Sequence, residues 1–436
     1  MFFPATRRAR CCIACCASRH RHTPLHPIRP PSRKPIVPEA PKGPLSGVTV
    51  IEMCQALAGP YACMMLSDMG ARVIKIEKPG GDDSRGMPPH FINGTSTYFM
   101  SINRGKESLC LDLKTEAGRE VLLKLVAKAD IVVENNRPGV LDRLGIGLEA
   151  FKQVNPSIVL CSISGFGQDG PYRDLPAYDM IVQAMSGGMS ITGEPNGKPL
   201  RSGVPIGDMC AGMTGALAAV SALHAARASG EAQLADVAML DVQVSMLSYQ
   251  MAFHLATGVV PTLQGRSHSG TPLMGAYEAA DGVEVLISPL AEHMWGWVCK
   301  ALDAETLEHD PRFATRQARL EHRAELRQQF TDIFRTRPSD EWVERMRTEG
   351  VPVAKVNDFA GVINDPQIQH RKMVAEVAYA GTPTRLIGSP IKFAGVEQTY
   401  ADPPSLSAHA SSILADDLGL GAAEVDRLVA AGGVIL

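Results

Sequence analysis

Two spacings of apolar residues alternate along most of the chain. The stretch GVTVIEMC, residues 47–54, is rich in β-branched residues, and QALAGPYACMMLSDMGA (55–71) reads as a helix starting near Gly59-Pro60. RVIKIEKP (72–79) is again a strand pattern, so the three form a β-α-β unit with short connections. The pattern recurs. EAGREVLLKLVAKAD (116–130) places Val121, Leu122, Leu125 and Val126 on one helical stripe and leads into the strand IVVEN; LEAFKQVNP leads into SIVLCSISG. Such alternation over residues 46–230 predicts an α/β fold, a Rossmann-like parallel-sheet large domain with helices on both faces.

The texture changes near Gly258. TLQGRSHSGTPLMGAYEAADGVEVLISP (262–289) reads as loop, strand, a turn at Asp281-Gly282, and a second strand. Charged helices follow over 312–336 and 339–350, the second with Ser339 as expected N-cap and Asp340 and Glu341 in its first turn. This predicts a smaller α/β domain: linkers and small domain over 241–374, with 45–240 and 375–436 forming the large domain. The stretch from Met209, MCAGMTGALAAVSALHAA, has 18 residues without a formal charge. Its many Ala and Gly residues favour a closely packed, buried helix over a membrane span.

Composition separates the N-terminus from the body. Residues 1–44 hold nine of the chain's 43 basic residues and one of its 46 acidic ones, so the body is acidic. It is therefore a poor partner for nucleic acid or an anionic membrane. The segment 1–44 is basic and Pro-rich, and we expect it to be a disordered leader outside the fold. Its first 20 residues resemble a mitochondrial presequence in composition; an upstream start codon gives the same pattern. Cytoplasm is the expected compartment, with the mitochondrial matrix as alternative if 1–44 is an import signal. Cys11, Cys12, Cys15 and Cys16 with His20, His22 and His26 are a weak metal-binding pattern, and no metal site is assigned. The six other cysteines, Cys54, Cys63, Cys110, Cys161, Cys210 and Cys299, lack C-x-x-C spacing and read as buried thiols of a reducing compartment.

SISGFGQDGPY (162–172) contains Gly165, Gly167 and Gly170 in G-x-G-x-x-G spacing. A dinucleotide turn must run straight into a helix whose N-terminus holds the pyrophosphate. Here PYRDLPAYD follows, and two prolines forbid that helix. A nicotinamide site is excluded; the glycines are read as permitting a sharp turn and a close ligand approach, against a plain surface loop as the alternative.

Several stretches together carry a resemblance to a known family: GVTVIEMCQALAGP, GARVIKIEKPGGDDSR, NRGKESLCLDLKT, ADIVVENNRPGVLDRLG, CSISGFGQDGPY with AYDMIVQAMSG, GVPIGDMCAGMTG and EGVPVAKVNDFAGVINDPQ. Over residues 46–430 the chain resembles the class III coenzyme A transferases, which include formyl-CoA, carnitine and succinate–dicarboxylate CoA-transferases. The resemblance implies an interlocked homodimer and transfer of CoA from an acyl-CoA donor to a carboxylic acid through an aspartyl-CoA thioester. It also implies no permanently bound cofactor, coenzyme A being a substrate moiety. It places the nucleophile at Asp208, in PIGDMCAG; read from its neighbours alone, Asp208 is equally an N-cap, whose helix would keep the carboxylate ionised. It places CoA contacts at Ala56, Leu57, Lys78, Lys114, Asn135, Asn136, Arg143, Tyr178, Asp179 and Met239. Arg85, Arg104 and His90 are further candidates for reading a substrate carboxylate, with a structural ion pair as the equal alternative for either arginine.

Two departures narrow the reading. The four-glycine loop of formyl-CoA transferases has no counterpart around Arg266–Pro272, which argues against formyl or oxalate specificity and towards succinyl-CoA with a dicarboxylate acceptor. The related α-methylacyl-CoA racemases carry a histidine in a GHD step where this chain has Ala177-Tyr178-Asp179; an ordinary tyrosine, with a pKa near ~10, is a poor base at neutrality. Racemase-like chemistry and a non-catalytic CoA-binding protein are the alternative readings.

Overall fold

The computed structural model describes residues 43–268 and 270–436. Expectations for the leader, its cysteines and histidines included, lie outside the described residues apart from its last two positions.

The first half alternates as the apolar spacing predicts. β1 (Thr49–Met53), α1 (Ala58–Asp68), β2 (Arg72–Glu77), β3 (Lys106–Leu111), α2 (Glu116–Val126), β4 (Ile131–Glu134), α3 (Leu148–Val154) and β5 (Val159–Ser164) follow in order. Next come α4 (Asp179–Met185), α5 (Ile206–Ser229), β6 (Gln233–Ala238) and α6 (Met239–Met246). The parallel strands lie side by side as β3-β2-β1-β4-β5-β6, and Val434–Ile435 adds an antiparallel edge beside β3. The chain thus works outward from β1 to one side, returns, and works outward to the other. Between β1 and β4 the strand order reverses, the place where open α/β sheets bind ligands beyond their carboxyl ends.

Both faces of this sheet are covered, which is why its strands are apolar on successive rather than alternate residues. Ile51 and Met53 face one core with α2, α3 and helix Ala422–Ala430. Val50 and Cys54 face the other with α1 and α5. The α2 stripe of Val121, Leu122, Leu125 and Val126 is buried, each side chain contributing about 2 kcal/mol relative to exposure. Thr115 caps α2, its Oγ1 accepting the Gly118 N–H at 3.0 Å.

Helix α5 is long and apolar enough to cross a membrane by length and composition, yet it packs on α1 and β5. Glycine makes this possible: a Cβ at Gly212 would stand 2.6 Å from the Ala58 carbonyl oxygen, and one at Gly215 would stand 2.5 Å from Ile163 Cδ1. The expectation of a buried helix holds for one face only. Met213, Leu217 and Ser221 point outward and are uncovered within one chain.

Beyond residue 258 a small antiparallel sheet orders β9 (Val353–Lys355), β8 (Glu284–Ile287), β7 (Thr271–Glu278) and Ser267–His268. Its core is aromatic, with Trp295, Phe313, Phe330, Phe334 and Trp342. The turn at Asp281-Gly282 is present. Ser339, however, is not the N-cap of helix Ser339–Thr348: Pro338 is, and the Ser339 N–H and hydroxyl both donate to Asp281 Oδ2.

Candidate functional site

A cavity of about 560 Å³ opens at the carboxyl ends of β1, β2 and β3, bounded on the far side by the segment after β4. That size suits a nucleotide-sized ligand part. Of the residues singled out in the sequence, Lys78, Lys114, Asn136 and Arg143 meet on its wall. Lys78 holds Asp83 in an exposed pair at 2.7 Å, an interaction weak enough for a phosphate to displace.

The acids beside these cations are already neutralised from below. Lys75, fully buried, reaches Glu52 Oε1 and Asp82 Oδ2, each at 2.8 Å, and donates to the Cys54 carbonyl at 2.9 Å. Lys106, also buried, pairs with Glu52 Oε2 at 2.7 Å and donates to the Pro60 carbonyl. Burial works to raise the Asp82 carboxyl, but Lys75 and the Ser84 donors outweigh it and hold Asp82 below the usual carboxylate range. Glu77 behaves likewise: burial opposes, and Arg85 with Lys75 prevails.

This network fixes the loop at the end of β1. Ala56 takes a left-handed φ of +64°, uncommon for a residue with a Cβ and a mark of constraint. Its N–H points to Asp82 Oδ1 at 3.4 Å. Asn135 clamps the neighbour: its Oδ1 accepts the Gln55 N–H at 2.9 Å and its Nδ2 donates to the Gln55 carbonyl at 2.8 Å. The Asn135 amide is thereby spent on backbone. Leu57 and Met239 are buried within the core.

Asp208 lies elsewhere than at a cap. Pro205 is the N-cap of α5 and Asp208 is its third residue. The two free N–H groups there are taken by Asp179, whose Oδ1 accepts from Gly207 at 2.7 Å and from Asp208 at 3.3 Å. The expectation that the helix start keeps Asp208 ionised is therefore corrected: burial, and then the charge of Asp179, push its carboxyl up to about 7. The Gly-Asp step also gains a physical reason, since a Cβ on Gly207 would stand 2.8 Å from Asp179 Oδ1.

Tyr98 was not read from the sequence. It sits in helix Thr97–Asn103, whose N-cap Ser96 accepts the Tyr98 N–H. Burial raises its phenol to about 12, and Asp208, Asp82 and Asp179 act in the same direction. The phenol is thus a protonated donor on which the charges of Asp208, Asp82 and Asp179 all act. The Ser-Thr-Tyr spelling announces the cap, but nothing local says which way the ring points.

The carboxylate-reading candidates fare unequally. Arg85 is bound to Glu77 through two nitrogens, at 2.8 Å each, and to the Pro404 carbonyl. Arg104 is buried against Asp68 and lies over the Tyr400 ring. Both are internal partners rather than free readers. His90 is exposed and gives its carbonyl to Thr97. Tyr178, at the racemase histidine's place, is 75% exposed at the start of α4.

The glycine turn is likewise internal at its first position. A Cβ on Gly165 would stand 2.1 Å from Ala177 Cβ, while Gly167 and Gly170 have φ values of +94° and +83°. The next helix is α4, well beyond the last glycine, in keeping with the exclusion of a dinucleotide turn. Among the described residues no group of three or more His, Cys, Asp or Glu side chains is gathered to hold a metal ion.

Comparison with known proteins bears on this site. The model of CoA-transferase family III matches residues 45–410. The chain is 38% identical over 396 residues to the succinate–glutarate CoA-transferase of Agrobacterium fabrum, covering 88% of this chain and 96% of that protein. It is 32% identical over 394 residues to the human succinyl-CoA:glutarate CoA-transferase, covering 90% of each. The crystal structure of a CAIB/BAIF family protein from Brucella suis superposes with a TM-score of 0.78 at 35% identity, over 86% of this chain and 99% of that one. The cation-walled cavity, the acid at the head of α5 and these matches converge, and the chain belongs to the family III CoA-transferases.

Proposed function

We propose that this CoA-transferase moves CoA from succinyl-CoA to a dicarboxylic acid, with Asp208 as the nucleophile. The observation that carries the reading is the packing of the head of α5 on the head of α1: Gly212 lies against Ala58 and Tyr61, directly after the cavity-lining residues Cys54 and Gln55. Nucleotide site and acid thus share one edge of the fold. Lys78, Lys114 and Arg143 meet the CoA phosphates, and Asn136 lines the same wall. Ala56 and Leu57 contribute the constrained loop, and Asn135 supports it. Succinyl-CoA and a dicarboxylate are taken from the named activities of the relatives in Agrobacterium fabrum and human.

The carboxylate of Asp208 attacks the thioester carbonyl, forming a mixed anhydride and releasing CoA thiolate. The thiolate attacks the aspartyl carbonyl, giving the aspartyl-CoA thioester and free succinate. The acceptor carboxylate attacks that thioester to form a second anhydride, and the thiolate then takes the acceptor acyl group, restoring Asp208. No net proton is consumed. We assign the Tyr98 hydroxyl, which burial keeps protonated, as donor to an oxyanion that develops at the aspartyl carbonyl.

The same reading makes the protein a homodimer. Met180, Ile181, Met213, Leu217, Tyr249 and Phe253 are exposed on α4, α5 and helix Ser248–Thr257, more apolar surface than a monomer usually leaves bare. Sedimentation at micromolar concentration is expected to give twice the chain mass. The described cysteines are free, and the reading places the enzyme in the cytoplasm, or in the matrix if 1–44 is cleaved on import; sequencing the mature N-terminus decides between them.

Incubation with succinyl-CoA and trapping with hydroxylamine or borohydride is expected to modify one peptide, the one containing Asp208. Turnover without that modification would sink the nucleophile. A panel of glutarate, malate and itaconate, with CoA-ester exchange followed by mass spectrometry, identifies the acceptor. Deuterium exchange at the α-carbon of a 2-methylacyl-CoA is expected to be absent; its presence would favour the racemase.

A further inference from the structure

We infer that Asp179 is a positioning residue that both holds the head of α5 in place and sets the pH range over which Asp208 works, rather than a contact for CoA. This rests on the reading of Asp208 as nucleophile and deepens it.

The geometry is specific. Asp179 is the first residue of α4 and lies 28 residues before Gly207 in the chain, yet its Oδ1 takes the N–H groups of Gly207 and Asp208. Its Oδ2 accepts from Gln183 Nε2 at 2.7 Å, and Gln183 Oε1 in turn accepts the Ser202 N–H at 2.9 Å. Gln183 is buried. Both oxygens of Asp179 are therefore engaged inward, and the chain Ser202–Gln183–Asp179–Gly207 ties down both ends of the segment that delivers Asp208 to the site. Helix starts ordinarily take such a bond from their own N-cap side chain. Pro205 has none to give, and Asp179 supplies it from another element.

The same bonds bring two carboxylates together. The titratable groups that act on or are acted on by Asp208 are Asp179 from α4 and Tyr98 from helix Thr97–Asn103. Tyr98 stays protonated at physiological pH, so the charge that acts on Asp208 is that of Asp179. A like charge favours the protonated acid, and only the ionised acid can attack a thioester. Activity must then fall as pH drops through about 7. A less crowded aspartate would ionise lower and keep working in more acidic solution, but as a weaker base it would be a weaker nucleophile.

The test compares Asp179→Asn and Asp179→Ala with the wild-type enzyme, measuring kcat and KM for succinyl-CoA from pH 5 to 9. Asparagine can still accept the two backbone N–H groups through its Oδ1 and removes the charge; it loses only the bond from Gln183, whose Oε1 keeps Ser202. The acid limb of kcat/KM is expected to move down by roughly one pH unit in both variants. KM for succinyl-CoA is expected to stay within about twofold, and kcat of Asp179→Ala to fall about tenfold further than that of Asp179→Asn, because its cap is lost as well. An unmoved limb, or a raised KM as the main effect, would overturn the inference in favour of a CoA contact. Equal kcat in the two variants would overturn the positioning role. A parallel hydroxylamine trap on Asp208→Asn separates the two levels. An adduct that persists there removes the nucleophile and this inference together. An adduct lost there, with the limb unmoved in Asp179→Asn, removes the inference alone.

Discussion

The two ends of the site treat carboxylates in opposite ways. Beneath the cavity, Glu52, Asp82 and Glu77 each touch a buried or half-buried cation, and at Asp82 and Glu77 burial is outweighed. At the head of α5, Asp208 faces another acid and a phenol, and burial prevails. The first arrangement locks charge so that a loop keeps one shape; the second leaves a charge poised for chemistry. Groups whose ionisation is fixed build the frame, and the one left near neutrality is the candidate for reaction.

The largest effect should come from the poised end. Asp208→Asn is expected to lower kcat at least about 10³-fold and to abolish the trapped CoA adduct; residual turnover above that level would erase the contrast. Next is Lys75→Met, which strands Asp82 and half of Glu52 as buried charges and should cost about 3–5 kcal/mol in urea unfolding. The sign with pH follows from Asp82 and Glu77. Their depressed values contribute stability that is complete above the unfolded carboxylate range near pH ~4 and lost as pH falls through the folded values. The Lys75→Met penalty should therefore shrink in acid.

Tyr98→Phe keeps the ring and removes the donor; kcat is expected to fall about 10²-fold with little change in the urea midpoint. Lys114→Ala or Arg143→Ala should raise KM for succinyl-CoA about tenfold with kcat nearly unchanged, and added salt should mimic both. The smallest effect sharpens the comparison most. Because the Asp208 carboxyl is raised, its ionisation costs stability progressively as pH climbs from the unfolded range near ~4 to about 7. Asp208→Asn should then be more stable than wild type at pH 8, on the order of 1 kcal/mol, and indistinguishable at pH 4. A gain at both would assign the effect to packing.

The sequence carries these regions unequally. Strand–helix alternation is local, so β1 to β5 and their helices were legible from apolar spacing, whereas Lys78, Lys114, Asn136 and Arg143 on the cavity wall were found by resemblance. Pairings across the sheet were not. Nothing local marks Glu52, Lys75 and Lys106 as partners: the register of β1 and β2 sets Glu52 opposite Lys75, and Lys106, opposite Val73 on β3, reaches Glu52 across β2. Arg85 and Arg104 were read as substrate ligands for the same reason: Glu77 and Asp68 consume them across distances that motif reading does not span. Asp208 could be found by resemblance, but its raised carboxyl depends on burial and on Asp179, which an irregular segment brings in. What the chain spells locally it reveals; what folding brings together it does not.

Helix α5 has a mechanical corollary. At 24 residues it is a rod about 36 Å long, with the reactive acid near its tip, one flank pressed tightly on α1 and the other bare. A body that seats against Met213 and Leu217 grips the shaft of that rod, and a tilt of a few degrees there moves the tip by an ångström or more. Under the proposed homodimer with Asp208 as nucleophile, assembly and turnover would be geared to each other through a single stiff lever.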